Sequence, residues 1–373
     1  MRYLFFTNTP AHVHLYRHVV EALRERGHDA LLLARDYGCT CALLDWYDLP
    51  YEVYGACDTT KGSLFRRLPG HYLRIVRKAR RFDPDLIFGM GGYAAHAGAL
   101  TRTPTVLVLD SEPTSLDHAV SRPFADAILT PAAFRKDLGR KHYTFAGFKE
   151  SAYLHPNVFS PREDVRERLG VGPDEPYALV RFNAFGSHHD VGHGGFSEAQ
   201  RRTLLEGLSE HATVFVSDES DEFDLASTTA EPYDLHPALL HDALAAADLL
   251  VADTQTMVTE AALLGTPAIR SNSFVGGSDM GNFIALEEAG LVENLGAFDD
   301  VVARATEILD DERVRTDWRR RRDAFVAEMT DLTGLLVSVA TDPDGLDDHR
   351  ELSRRRGGST ATAGTPYRVA ESQ

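Results

Sequence analysis

Several residues in this chain have the types and spacing to do chemistry. His12 and His14 of "TPAHVH" stand at a strand-to-helix turn, where an imidazole of near-neutral pKa can take a proton from an attacking hydroxyl. Asp110 and Glu112 close the apolar run "TVLVLD" and its turn, which puts acids at a carboxyl strand edge; the plainer reading is that Asp110 caps the turn. "VADTQTMVTEAALLGTPAI" reads as a buried strand, a polar break and a small-residue helix. A strand that delivers Asp253 to the sheet edge leaves the backbone N–H groups of Thr254, Gln255, Thr256 and Met257 pointing out of a helix N-terminus. Unpaired donors and the helix dipole both favour an anion there, so the break suits a diphosphate without metal. Glu260 lies a turn further in, on a face that reaches the hydroxyls of an attached ribose. The bland alternative is an N-capped helix carrying a surface acid.

Arg181 ends the strand "YALVRF", where its forked donors suit a diphosphate. The loop after it, "NAFGSHHDVGHGG", carries His188, His189, Asp190 and His193. Their spacing is not that of a helical zinc pair, so the expectation is a flexible loop closing on a ligand, with no metal and no cofactor. In "FGMGGYAAHAG", Gly89, Gly91 and Gly92 allow close backbone approach. A helix opening near Tyr93, with His96 one turn on, offers a second anion-accepting terminus. Cys39, Cys41 and Cys57 lack the partner pair of a zinc site and are expected to be buried structural thiols.

Positioning these residues takes strands that alternate with helices, and the chain shows that alternation twice. Strands "RYLFF", "HDALLLAR", "YEVYG", "PDLIFG", "TVLVLD", "DAILTP" and "HYTFAG" fill the first half; "YALVRF", "TVFVS", "DLLVAD", "PAIRS" and "LVENL" fill the second. Pro156 and Pro161 mark the join. The expected architecture is α/β, with two Rossmann-like doubly wound parallel sheets facing a cleft. The first domain spans 1–155 and the second 156–335, with a last helix over 312–330 and a polar, disordered tail over 341–373.

Length and composition agree, since 373 residues with 43% hydrophobic content exceed one ordinary core. A formal charge of −17 argues against nucleic acid, and only five of the 39 basic residues are lysine, a pattern suited to a high-salt cytoplasm. "MRYLFFTNTP" reads as a first strand and turn rather than an export signal, and no apolar run approaches the roughly 20 residues of a membrane helix. The basic run over 61–81 has two readings: contact with an anionic membrane face or lipid phosphate, or a solvated helix packed on a sheet.

"DTQTMVTEAALLGTPAI" resembles the nucleotide-binding segment of GT-B glycosyltransferases and of UDP-N-acetylglucosamine 2-epimerases, although Gln255 and Thr256 stand where glycines are usual. "DLIFGMGGYAAHAGALTRTPTVLVLDSEP" is similar to the acceptor-facing segment of the N-acetylglucosaminyltransferase that makes lipid II. "SDMGNFIALEEAGLVENL" resembles that enzyme's donor-sugar loop, which implies sugar contacts for Ser278 and Asp279 and a helix start at Asn282. Over residues 1–335 the chain looks most like a prokaryotic GT-B family of unknown function. The resemblance implies a metal-independent glycosyltransferase with a UDP-sugar donor and a glycan or lipid-linked acceptor. The alternatives are an epimerase, for which Gly91 stands where those enzymes carry an Asp, and a non-catalytic nucleotide-sugar binder.

Overall fold

The computed structural model describes residues 1–56, 61–183, 194–219, 223–273, 275 and 279–355, apart from the side chains of 61–66. The chain divides into two compact units: Met1–Val158 with the segment returning at Glu328, and Phe159–Ala327.

Unit one runs β1 (Arg2–Thr7), α1 (Pro10–Glu25), β2 (Asp29–Asp36), α2 (Thr40–Trp46), β3 (Tyr51–Ala56), α3 (Lys61–Phe82), β4 (Leu86–Gly89), α4 (Gly92–Thr101), β5 (Thr105–Val108), α5 (Ser115–Ser121), β6 (Ala127–Pro131), β7 (His142–Phe145) and α6 (Ser151–Leu154). Unit two continues with α7 (Val165–Arg168), β8 (Tyr177–Phe182), α8 (Glu198–Ser209), β9 (Thr213–Asp218), β10 (Glu231–Pro232), α9 (Leu240–Ala246), β11 (Leu249–Ala252), α10 (Thr256–Leu264), β12 (Ala268–Arg270), α11 (Gly281–Glu288), β13 (Glu293–Asn294), α12 (Phe298–Asp310) and α13 (Glu312–Ala327). The returning segment adds α14 (Leu332–Thr341) and β14 (Ser353–Arg354) to unit one.

The first sheet is ordered β14-β7-β6-β5-β4-β1-β2-β3 and the second β10-β9-β8-β11-β12-β13. All pairs are parallel except β14 on β7. Strand order reverses between β1 and β4 in the first sheet and between β8 and β11 in the second. Such reversals part the connecting loops at the carboxyl edge and are where open α/β sheets bind ligands. The start of α1 with His12, the turn with Gly91, the end of β8 with Arg181 and the break with Thr254 flank these two points. Fully buried strands explain the near-continuous apolar runs: every residue of β4, β5 and β11 is buried.

Three expectations change at the C-terminus. The second unit closes at Ala327 rather than at 335, and Leu332–Thr341 form a further helix, α14, which carries no charged side chain and packs on α1 and α6; Tyr3 Oη donates to the Ala340 carbonyl at 3.0 Å. The tail is ordered to residue 355, because β14 pairs with edge strand β7 and Arg355 donates to the carbonyls of Phe134, Arg135 and Lys136. Residues 356–373 lie outside the description. The stretch Glu312–Thr341 is long and apolar enough to meet a membrane-span criterion by composition, but it is broken between α13 and α14, and 56% of its apolar window is buried within the protein. Cys39 and Cys41 are half-buried at the start of α2 rather than enclosed, and Cys57 is outside the description.

Candidate functional site

In unit two, α10 begins one turn after β11. No side chain caps it, in contrast with the capping box that Ser197 and Gln200 form on α8. Thr254, just ahead of the helix, is 7% exposed, and its Oγ1 is buried without a hydrogen-bond partner. A second unpartnered buried atom, Asn282 Oδ1, lies in the first turn of α11, which follows the neighbouring strand β12. Uncapped N–H groups and orphaned polar side chains each cost free energy unless a ligand or water satisfies them. At the far ends of these helices, Arg322 donates to the Leu263 carbonyl of α10 at 3.4 Å and Arg321 to the Gly290 carbonyl after α11 at 3.0 Å. The run "WRRRR" of α13 thus clamps the carbonyl ends of the two helices, a role its charge pattern alone did not reveal.

Asp253 is almost fully buried. Its Oδ1 accepts the Asn183 N–H at 2.7 Å and its Oδ2 the Phe196 N–H at 3.4 Å, so it joins residues on either side of the segment that contains His188, His189 and Asp190. Those three residues, with Ser278, lie outside the described residues. Burial raises Asp253 to about 6, against the opposing pull of the Asn183 N–H and Arg201. Arg181 already pairs with Glu219 at 2.5 Å and with Ser217, so its charge is largely spent within the unit. Glu260 is 4% exposed rather than a surface acid; its Oε1 meets His241 Nε2 of α9 at 3.1 Å. Asp279, expected at the sugar, is buried in an ion pair with Arg270 and accepts the Met280 N–H at 2.8 Å, which starts α11. Arg270 stacks 3.7 Å over Phe283 and donates to Asn294 at 2.8 Å.

In unit one, Asn8 at the end of β1 organises the turn. Its N–H donates to His12 Nδ1 at 3.2 Å, its carbonyl accepts from Arg35 at 2.9 Å, and its Oδ1 accepts from Tyr54 Oη at 2.7 Å. Burial, then the Lys149 ammonium, lower His12 to about 3. His14, by contrast, is packed into the interior between Tyr47 and Tyr153, at ring distances of 6.0 and 5.4 Å. Glu112 is 7% exposed and accepts the Arg135 N–H at 3.0 Å, which pins a loop. Asp110 binds Lys149, which belongs to none of the sequence motifs. Lys149 also reaches Glu150, at 3.3 Å.

The turn after β4 is occupied from within. Asp117 of α5 accepts the Gly92 N–H at 3.0 Å, so the N-terminus of α4 already holds an anion rather than standing open for one. Gly91 has φ +87°, and a Cβ there would stand 2.5 Å from an Asp117 oxygen. Tyr93 and His96 belong to an aromatic network: His71 donates Nε2–H to the Ala56 carbonyl and takes Tyr93 Oη at Nδ1, while His96 donates to the Val120 carbonyl and takes Tyr72 Oη. Along α3, Lys78 and Arg81 pair with Glu52, and Ile75 and Ala79 are buried, as a packed helix requires. Leu73 of the same helix is 73% exposed. Among the described residues no three His, Cys, Asp or Glu side chains gather as a metal site would.

No family model matches the chain. An uncharacterised protein of Methanocaldococcus jannaschii is 22% identical over 280 residues, which cover 70% of this chain and 79% of the relative. In three dimensions the chain is similar to the UDP-GlcNAc 2-epimerase of Neisseria meningitidis, solved bound to UDP-GlcNAc. The TM-score is 0.64 at 12% identity, covering 91% of this chain and 100% of that one. It is also similar to MurG of Acinetobacter baumannii, with TM-score 0.54 at 16% identity, 91% of this chain and 99% of that one being covered.

The fold is GT-B. These GT-B neighbours include UDP-sugar epimerases and a glycosyltransferase. At such identities the likeness speaks to fold, and the chemistry rests on the residues of this chain. Of the GT-B expectations, the uncapped α10 start stands at the strand-order reversal, whereas Arg181, Glu260 and Asp279 each have an internal partner. Those partners lie 38, 19 and 9 residues away in sequence, beyond the reach of local pattern.

Proposed function

We propose that the protein is a metal-independent glycosyltransferase that binds a UDP-sugar on unit two. The observation that carries the reading is the start of α10, an uncapped helix N-terminus with the buried, unpartnered Thr254 Oγ1 beside it at the strand-order reversal. A diphosphate would satisfy both, and the helix dipole would stabilise the charge that grows on the departing nucleotide. UDP is favoured because a neighbour of the same fold was solved with UDP-GlcNAc. Glu260, held by His241, is the group set to read the ribose. On unit one, the polar group at the carboxyl edge that an acceptor hydroxyl would meet is the ion pair of Asp110 and Lys149. With Asp117 already on the α4 terminus, a neutral acceptor group suits that turn better than a phosphate.

Titration calorimetry with UDP-GlcNAc and UDP tests the reading. Thr254→Val should weaken UDP about three- to tenfold, the loss of one hydrogen bond, while leaving the thermal stability of the free protein unchanged or raised, since it removes a buried polar atom without a partner. Absence of binding by UDP, GDP and dTDP sugars alike would sink it. The second reading, an epimerase, draws on the two acids Asp110 and Glu150 that bracket Lys149. Against it stand Gly91 and the engagement of Glu112 by Arg135. NMR of UDP-GlcNAc incubated without an acceptor separates the two, because only the epimerase yields a C2-inverted sugar.

A further inference from the structure

Among the described residues eight large apolar side chains stand exposed, and five of them, Leu73, Leu100, Leu116, Val120 and Phe124, belong to α3, α4, α5 and the turn Arg122–Phe124 that follows it. These elements are neighbours in unit one, with α4 packed between α3 and α5. Tyr72 Oη of α3 meets His96 Nδ1 of α4 at 2.6 Å, the Phe124 ring stands edge-on to that of His96 at 5.1 Å, and Arg80 donates to the Leu100 carbonyl at 3.5 Å. Leu73 and Arg77 are one helical turn apart, as are Leu116 and Val120. The exposed apolar groups therefore form one surface rather than scattered single residues, and such a surface costs solvation free energy unless something covers it.

Charge says what covers it. Neither α3 nor α4 contains an acid. Lys78 and Arg81 are spent on Glu52, but Arg77, Arg80, Arg102 and Arg122 are exposed and form no ion pair among the described residues. The two acids over 115–126 are engaged, Asp117 with the Gly92 N–H and Asp126 with Lys141 at 3.7 Å. A chain of formal charge −17 thus surrounds its largest run of exposed apolar side chains with positive charge. Leucine and phenylalanine set among arginines match an anionic bilayer, whose phosphates take the forked donors while its acyl boundary takes the side chains between them. Nucleic acid would leave the leucines unmatched, and a second copy docked by the same face would set arginine against arginine.

We infer that the outer face of α3, α4 and α5 holds unit one on an anionic lipid bilayer, with Leu73, Leu116 and Phe124 entering the boundary between headgroups and acyl chains and Arg77, Arg80 and Arg122 meeting lipid phosphates. The inference does not depend on the glycosyltransferase reading. It joins the two readings of the basic run, since Ile75 and Ala79 pack the helix within the unit while the stripe of Leu73, Arg77 and Arg80 faces outward.

Flotation of the full chain with vesicles of phosphatidylglycerol and phosphatidylcholine in equal parts, against vesicles of phosphatidylcholine alone, tests it, in salt at which circular dichroism shows the chain folded. Wild type should float with the anionic vesicles and bind the neutral ones about tenfold or more weakly. Leu73→Ser with Phe124→Ser, and Arg77→Gln with Arg80→Gln, should each weaken anionic binding about tenfold or more, with the urea midpoint by Trp46 fluorescence close to wild type because the side chains changed are exposed. Arg313→Gln with Arg320→Gln removes the same charge from exposed positions of α13 and should change binding by less than about twofold. Phe124→Trp in a Trp46→Phe background should be quenched by lipids brominated on their acyl chains, while the buried Trp318 is not. Absence of binding, equal binding to both vesicles, a loss from the α13 pair that matches the loss from the α3 pair, or a Phe124→Trp signal that bromine leaves unquenched would overturn the inference. A dimer in sedimentation velocity that Leu73→Ser with Phe124→Ser disperses would overturn it too, since a second copy would then be the cover.

Discussion

Replacing Asp253 by Asn should remove a defined pH dependence from unit two. Burial holds Asp253 at about 6, roughly two pH units above an ordinary aspartate, in spite of the N–H bonds from Asn183 and Phe196. A raised carboxyl means that the folded state binds the proton more tightly than the unfolded chain does. The associated stability is therefore fully present below about pH 4, is lost as pH rises through about 6, and stays lost above it. At about 1.4 kcal/mol per pH unit, wild type should lose about 3 kcal/mol relative to Asp253→Asn between pH 4 and pH 8. The amide keeps an acceptor for Asn183 and gives up only the longer bond to Phe196. Trp318, buried in unit two and bonded to the Leu291 carbonyl, reports that unit's unfolding, and Trp46→Phe removes the tryptophan of unit one. Urea titrations of both proteins across that range give the difference directly, and other carboxylates cancel in it. A difference that stays flat, or that grows in the opposite direction, would refute the reasoning.

Three further perturbations probe the scaffold. Gly91→Ala should destabilise unit one by about 2 kcal/mol or more in urea unfolding followed by Trp46 fluorescence, since it combines φ +87° with a Cβ against Asp117; adding Asp117→Ala should leave only about 1 kcal/mol, the backbone part. Arg270→Met strands Asp279 as a buried charge and should cost about 3–5 kcal/mol by Trp318 fluorescence, most of it recovered by adding Asp279→Leu. Truncation after Thr341 removes β14 and the Arg355 contacts, and should lower the Trp46 transition by about 1–3 kcal/mol while leaving the Trp318 transition in place.

The alternation of apolar runs and polar breaks was enough to place nearly every strand and the small-residue helix that follows β11, because strand and helix periods are local properties of a short window. It also put the chemistry-bearing loops at strand ends, since a polar break after a buried strand has nowhere else to go. What local pattern lacked was the identity of partners. Arg181 reads as a diphosphate ligand until Glu219, at the end of the adjacent strand, takes its charge. Gly91 and Gly92 read as an open anion site until α5 brings Asp117 over them. Lys149 belongs to none of the motifs until β7 and β5 are set in one sheet with β6 between them. The return of α14 and β14 to the first unit was equally hidden, for an uncharged helix and a two-residue strand carry no address of their own. Sequence determined the elements and the edge on which polar residues gather. Tertiary structure decided which charges meet there, because that depends on strand order, a property of the whole sheet rather than of any stretch of chain.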